Sequence, residues 1–114
     1  MARVSLVLPV AAEDADDTRA FMPEPEQERK ADYDASERRI GISKEVWFLA
    51  PLGDRYALVA YMEADDFQGA LEKFVTSQDD FDLWFKRRLA DSTGLDLNIP
   101  PDVPVPELLS SYAA

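Results

Sequence analysis

KEVWFLAPLGDRYALVAYMEADD, from Lys44 to Asp66, is the stretch that decides the fold. Two runs rich in Val, Tyr, Phe and Trp flank Pro51-Leu52-Gly53-Asp54, which predicts an antiparallel hairpin with a loop of about four or five residues. Charge selects its register, because side chains alternate between faces and a slip of one residue exchanges them. With the loop at Pro51 to Arg55, Ala50 faces Tyr56, Phe48 faces Leu58 and Val46 faces Ala60, with Met62 beyond them. That face is wholly apolar. The other then carries Glu45, Trp47 and Leu49 beside Ala57, Val59, Tyr61 and Glu63. The register one residue shorter places Glu45 and Glu63 on opposite faces and forces a carboxylate toward the core, and the cost of burying an unpaired carboxylate favours the first. The expectation is a sheet with one face for helices and a second that is apolar but set with a few polar groups.

Before the hairpin, Arg3 to Val10 alternates as a strand, Val4, Leu6, Leu8 and Val10 on one face and Arg3, Ser5 and Val7 on the other, with Pro9 marking an exit or an edge. Residues 11–39 are rich in helix formers, yet Pro23 and Pro25 divide them into two pieces, Glu13 to Met22 and Glu24 to Arg39. The second is highly charged, offers Ala31, Tyr33, Ala35 and Ile40 for burial, and ends at Gly41. After the hairpin, Asp65 or Asp66 caps an amphipathic helix carrying Phe67, Ala70, Leu71, Phe74 and Val75. Ser77-Gln78-Asp79-Asp80 caps another, Phe81 to Ser92, whose Phe81, Trp84, Phe85 and Leu89 share a face and whose Lys86, Arg87 and Arg88 suit the helix dipole at the surface. Leu95, Leu97 and Ile99 predict a short last strand. Prolines between Pro100 and Pro106 then impose an extended path, along which Leu108, Leu109 and Tyr112 remain to be buried against the body or a partner subunit.

Composition removes many chemistries. The 114 residues contain no Cys and no His, so disulfides, thiolate metal sites, cysteine nucleophiles and the commonest general base are absent. A net charge of -11, from 23 acidic against 12 basic residues, opposes binding to nucleic acid or anionic lipid. No apolar run approaches the ~20 residues of a membrane span, and the N-terminal stretch lacks the long apolar region of a signal peptide, so a cytoplasmic location is expected. The paired aspartates 65–66 and 79–80 read as helix caps, so neither a metal nor a cofactor is expected.

The order strand, helix, strand, strand, helix, with a closing strand, is that of a ferredoxin-like α+β domain over residues 1–99, followed by a proline-rich C-terminal arm, 100–114. EVWFL, YMEADD with the helix after it, and SQDDFDLWFK resemble an uncharacterised family of the dimeric α+β barrel superfamily, over roughly Arg3 to Leu97. The resemblance implies an antiparallel sheet with helices on one face, a homodimer through the other, and a barrel interior able to hold a small molecule. Members of the superfamily include quinol-type monooxygenases, haem-degrading enzymes, muconolactone isomerases and sugar mutarotases. The lack of histidine sets this chain apart from those that use it.

One constellation stands out. Glu45, Glu63 and Tyr61 as catalytic groups, with Trp47, Arg3, Leu49 and Val59 around a ligand, all fall on the uncovered face in the favoured register. A carboxylate among Trp, Leu and Val has its pKa raised by desolvation and becomes a proton acceptor or donor near neutral pH, with Tyr61 a hydrogen-bond donor. The competing account is structural, since Arg3 and Glu63 fall opposite one another on neighbouring strands and form a cross-strand ion pair. Two functions follow: a small-molecule enzyme or binding protein acting on a compact apolar or aromatic compound, and a non-catalytic dimeric module with a packed interior. They differ in whether the interior is hollow.

Overall fold

The computed structural model describes residues 1–102 and 105–114. Strands β1 (Ala2–Val10), β2 (Ile42–Leu52) and β3 (Arg55–Ala64) form one antiparallel sheet in the order β1-β3-β2. Helices α1 (Ala15–Phe21) and α2 (Lys30–Ile40) precede the hairpin; α3 (Phe67–Thr76) and α4 (Asp80–Thr93) follow it. All four lie on one side of the chain's sheet, giving the α+β architecture expected. The division at the prolines holds: a single 3-10 turn, Glu24–Glu26, separates α1 from α2, and Gly41 closes α2 with φ +92°.

The hairpin register is the main correction. Leu52 pairs with Arg55, Ala50 with Ala57, Leu49 with Leu58, Trp47 with Ala60 and Glu45 with Met62. The loop is only Gly53-Asp54, with Gly53 at φ +65°, the Gly-X turn whose twist matches the flanking strands. Pro51 therefore lies inside β2 instead of breaking it, because β2 is an edge strand and a missing N–H on the outer side costs no ladder bond. The shorter register is the observed one, and it turns Glu45, Trp47 and Leu49 inward, toward the helices. The price of burying Glu45 is offset by a hydrogen bond from Tyr33, a partner that strand alternation alone does not reveal.

On the covered face Leu8, Val10 and Leu58 meet Phe21 of α1 and Phe81, Phe85 and Leu89 of α4; next to them Ile42, Ala60, Met62 and Ala64 meet Ile40 of α2 and Ala70 of α3. Phe85 is the hub of the first group, its ring 5.9 to 6.4 Å from those of Phe21, Trp47, Phe74, Phe81 and Trp84. The caps are Asp66, accepting from Gly69 N at 3.0 Å, and Asp79, accepting from Phe81 N at 3.1 Å. Lys86 corrects the surface reading of its basic run. It is buried, and its ammonium donates to the carbonyls of Phe74, Val75 and Ser77 at 3.0 to 3.1 Å, satisfying the C-terminal end of α3. Of the four residues offered by α2, Ile40 is buried and Tyr33 half-buried, while Ala31 and Ala35 are exposed.

The expected last strand is absent. Asp96 Oδ1 accepts from Asn98 N at 2.9 Å and curls the chain into a turn, a local bond that competes with strand pairing. Leu97 is buried in the core, Ile99 is exposed, and among the described residues β1 has no partner on its outer edge. The uncovered sheet face carries Val7 and Phe48, 44% and 58% exposed, with Arg3, Val46, Val59, Tyr61 and Glu63 around them. Among the described residues, no helix is long and apolar enough to cross a membrane.

Candidate functional site

The polar groups that matter lie under α2. Tyr33, Ser36, Glu37 and Ile40 recur at helical spacing, so one stripe of α2 carries them together toward β2. There they meet Glu45 and Trp47, which the observed register turns inward. A cavity of about 60 Å³ lies at this junction. Its walls are apolar, with Leu6, Leu8, Met62, Phe67, Phe74 and Phe85 prominent, and its polar groups are those of Tyr33, Ser36, Glu37 and Glu45.

The Tyr33 hydroxyl donates to Glu45 Oε2. Burial raises the Glu45 carboxyl above its ordinary value, outweighing the hydrogens of Tyr33 and Trp47 that pull it back. Glu37 is driven up to about 9, chiefly by burial, then by the negative charges of Glu45 and Asp82. Tyr33 is raised far above the ordinary phenol range by burial and by the neighbouring Glu45 charge. The two carboxyls cannot both ionise cheaply. Both are pushed upward by burial, and they differ in that Glu45 has donors that favour its charged form whereas the Glu37 carboxyl accepts no hydrogen bond among the described residues. Trp47 Nε1 is buried and completes no hydrogen bond among the described residues, although it lies close enough to Glu45 and Tyr33 to lower both. The site thus offers an apolar space, two carboxyls of raised pKa, one of them hydrogen-bonded by Tyr33, and the buried Trp47 N–H.

Two open depressions share its walls. A cleft of about 340 Å³, edged by Met22, Pro23 and Pro25, also touches Tyr33, Glu45, Trp47 and Phe85. A wider groove past Lys30 and Lys44 touches Tyr33, Glu37, Ile42 and Glu45. The Tyr33–Glu45 pair therefore stands between the cavity and the surface.

Of the expected site residues, the structure brings only Glu45 and Trp47 to this cavity. Leu49 lies on the same face and packs against the neighbouring core. Arg3, Val59, Tyr61 and Glu63 lie on the opposite face. Arg3 and Glu63 are direct cross-strand partners, as the structural account requires, but Glu63 takes its hydrogen bond from Tyr61, at 2.6 Å. Glu63 and Tyr61 are thus separated from Glu45 by the thickness of the sheet. Tyr33 and Glu37 were missed as site residues because α2 reads as a charged, exposed helix; the interval of four between them, continued by Ile40, is the signal that marks its inner stripe.

Beside the cavity, Asp82 is fully buried and accepts from Ser36, from Ser77 at 2.5 Å and from Arg39 at 2.9 Å. Burial acts to raise its pKa, but these donors outweigh burial and hold it below the usual carboxylate range. The network ties α2 to α4 and fixes the helix that carries Glu37. Among the described residues no cluster of three His, Cys, Asp or Glu is placed to hold a metal ion.

No protein-family model matches the chain, and no curated protein matches it. Among solved structures it is similar to tetracenomycin F2 cyclase from Streptomyces glaucescens, a type-II polyketide cyclase. The TM-score is 0.54 at 20% identity, over 100% of this chain and 99% of that one. The likeness carries the fold alone, an antiparallel sheet with helices on one face, and not the narrower family that the sequence phrases suggested.

Proposed function

We propose that this chain binds a small apolar compound bearing a carbonyl group in the cavity between its sheet and helices and moves a proton on it. What supports the reading is Glu37, whose carboxyl burial pushes up to about 9, beside a hydrogen-bonded Glu45 at the wall of an apolar cavity. Two carboxyls whose surroundings push their protonation apart form an acid–base pair. Glu45, oriented by Tyr33, takes a proton from the carbon next to the carbonyl. Glu37 gives its own to the oxygen, and the free Trp47 N–H supports the charge that develops there. The electron pair of the broken C–H bond becomes the enol double bond. Return of the proton from Glu45 to another carbon, with the enol proton going back to Glu37, gives an isomer; attack of the enol carbon on a second carbonyl of the same molecule returns the enol proton to Glu37, and Glu45 passes the proton it took to the new alkoxide, closing a ring. The structurally similar protein is named a cyclase, and the two carboxyls here are equipped for ring closure of this kind.

The volume favours a second reading. A cavity of about 60 Å³ is small beside the ~150 Å³ that admits benzene. In the first reading Tyr33 swings aside and joins the cavity to the adjoining cleft; in the second the chain is a non-catalytic module with a nearly filled core. Thermal shift with small aromatic ketones and phenols separates them. Stabilisation by a ketone, reduced in Glu45→Gln, together with deuterium exchange at its α-carbon in heavy water, supports the enzyme. No stabilisation across the set and no exchange above buffer would leave the filled module.

The partner in this reading is a second copy of the chain, seated on the uncovered face, where Val7 and Phe48 replace the Trp47 and Leu49 first expected there. A cytoplasmic location, suited to a chain without cysteine, completes the proposal.

A further inference from the structure

We infer that residues 105–114 are an arm buried on a second copy of this chain. The inference rests on the dimer through the uncovered face and adds a segment to it. Val105, Leu108, Leu109 and Tyr112 are 51%, 60%, 85% and 89% exposed, in a segment without helix or strand. Four exposed apolar side chains in so short a segment have little reason to stay in water. The arm's own body does not cover them. Among the described residues, its one hydrogen bond to the rest of the chain is from Arg3 Nη2 to Ser111 Oγ, 3.3 Å and solvent-exposed.

Arg3 projects from the uncovered face of β1, so this contact sets the arm beside the surface that presents Val7 and Phe48. A ten-residue extended segment spans ~33 Å, whereas three strands are only ~10 Å across. An arm of that reach passes the edge of its own sheet and meets whatever is seated on it. Charge indicates a second copy. The chain carries -11, so two copies repel over most of their surfaces. The uncovered face carries two cations, Arg3 and Lys44, against one carboxylate, Glu63, and among the described residues neither cation has an ion-pair partner. The arm's single charged side chain is Glu107. In a twofold pair the arm supplies each copy's cationic end with a carboxylate and lays its apolar side chains on the partner.

Sedimentation equilibrium of the full chain, of a variant lacking residues 105–114, and of Glu107→Arg tests this. The dissociation constant is expected to rise at least tenfold on truncation and severalfold in Glu107→Arg, with amide exchange in the arm slowing as protein concentration rises. A dimer whose constant changes less than twofold on truncation would overturn the arm and leave the dimer standing. A full chain that stays monomeric at micromolar concentration would overturn both.

Discussion

Glu37 shows how burial becomes a pH dependence. Its folded pKa of about 9 lies above the unfolded value near 4.5, so the folded state holds a proton that the unfolded state has lost between those limits. The contribution is complete below about pH 4.5 and disappears as pH rises through about 9. Stability therefore falls across that window, and Glu37→Gln should flatten the fall, as urea midpoints at pH 5, 7 and 9 will show. Asp82 acts in the opposite sense: its carboxyl is held below the usual range, so its contribution is present above that range and is lost on acidification. Tyr33→Phe removes the donor to Glu45 and should cost about 2 kcal/mol at neutral pH, the scale of a hydrogen bond to a charged group, read from chemical denaturation. Lys86→Met keeps the apolar stem but strands three carbonyls at the end of α3. A loss of about 2 kcal/mol is expected, with amides of that last turn exchanging faster than the rest of α3.

At the scale of elements, α4 is the piece on which the others rest, since its Phe85 touches rings from α1, β2 and α3 as well as its own helix. Phe85→Ala should cost about 4 kcal/mol by loss of burial and the void it leaves, enough to lower the thermal midpoint of a chain this size by well over 10 °C. Scanning calorimetry measures that. The same void adjoins the cavity, so a variant that still folds should take up small apolar compounds more readily than the parent. The hairpin illustrates the other limit. Its strands were legible from composition, but its register turned on whether Pro51 ends a strand or sits at an edge, and strand order, a nonlocal property, decided it.

At the scale of the whole molecule, the proposed dimer runs through the uncovered sheet face. Specific interfaces bury about 1,200–2,000 Å² in total, and on this face Val7 and Phe48 are the exposed apolar side chains a partner would cover. Phe48→Glu places a carboxylate at its centre twice over in a symmetric pair. It should convert a dimer to monomer in size measurements at micromolar concentration while leaving the helical circular dichroism unchanged. Trp47→Glu is the contrasting variant, since its side chain belongs to the covered face and its effect should be unfolding.

The sequence by itself determined the order of the three strands and the helices between and after them, the caps at Gly41 and Gly94, an N-cap at Asp65 or Asp66 and another within 77–80, the stripes of α3 and α4, and the absence of histidine and cysteine chemistry. These are local properties, fixed by side chains a few residues apart. It also singled out Glu45 and Trp47. What the tertiary structure decided was which face they occupy and what meets them there. The penalty for a buried carboxylate argues against the observed register only while the carboxylate is alone, and Tyr33, on a helix that reads as exposed, supplies the missing donor from 12 positions away in the chain. The same holds for Lys86, whose charge reads as surface until the carbonyls of α3 are seen to receive it. Alternation and composition place polar residues by their cost in isolation, whereas the fold places them by the partners that remove that cost.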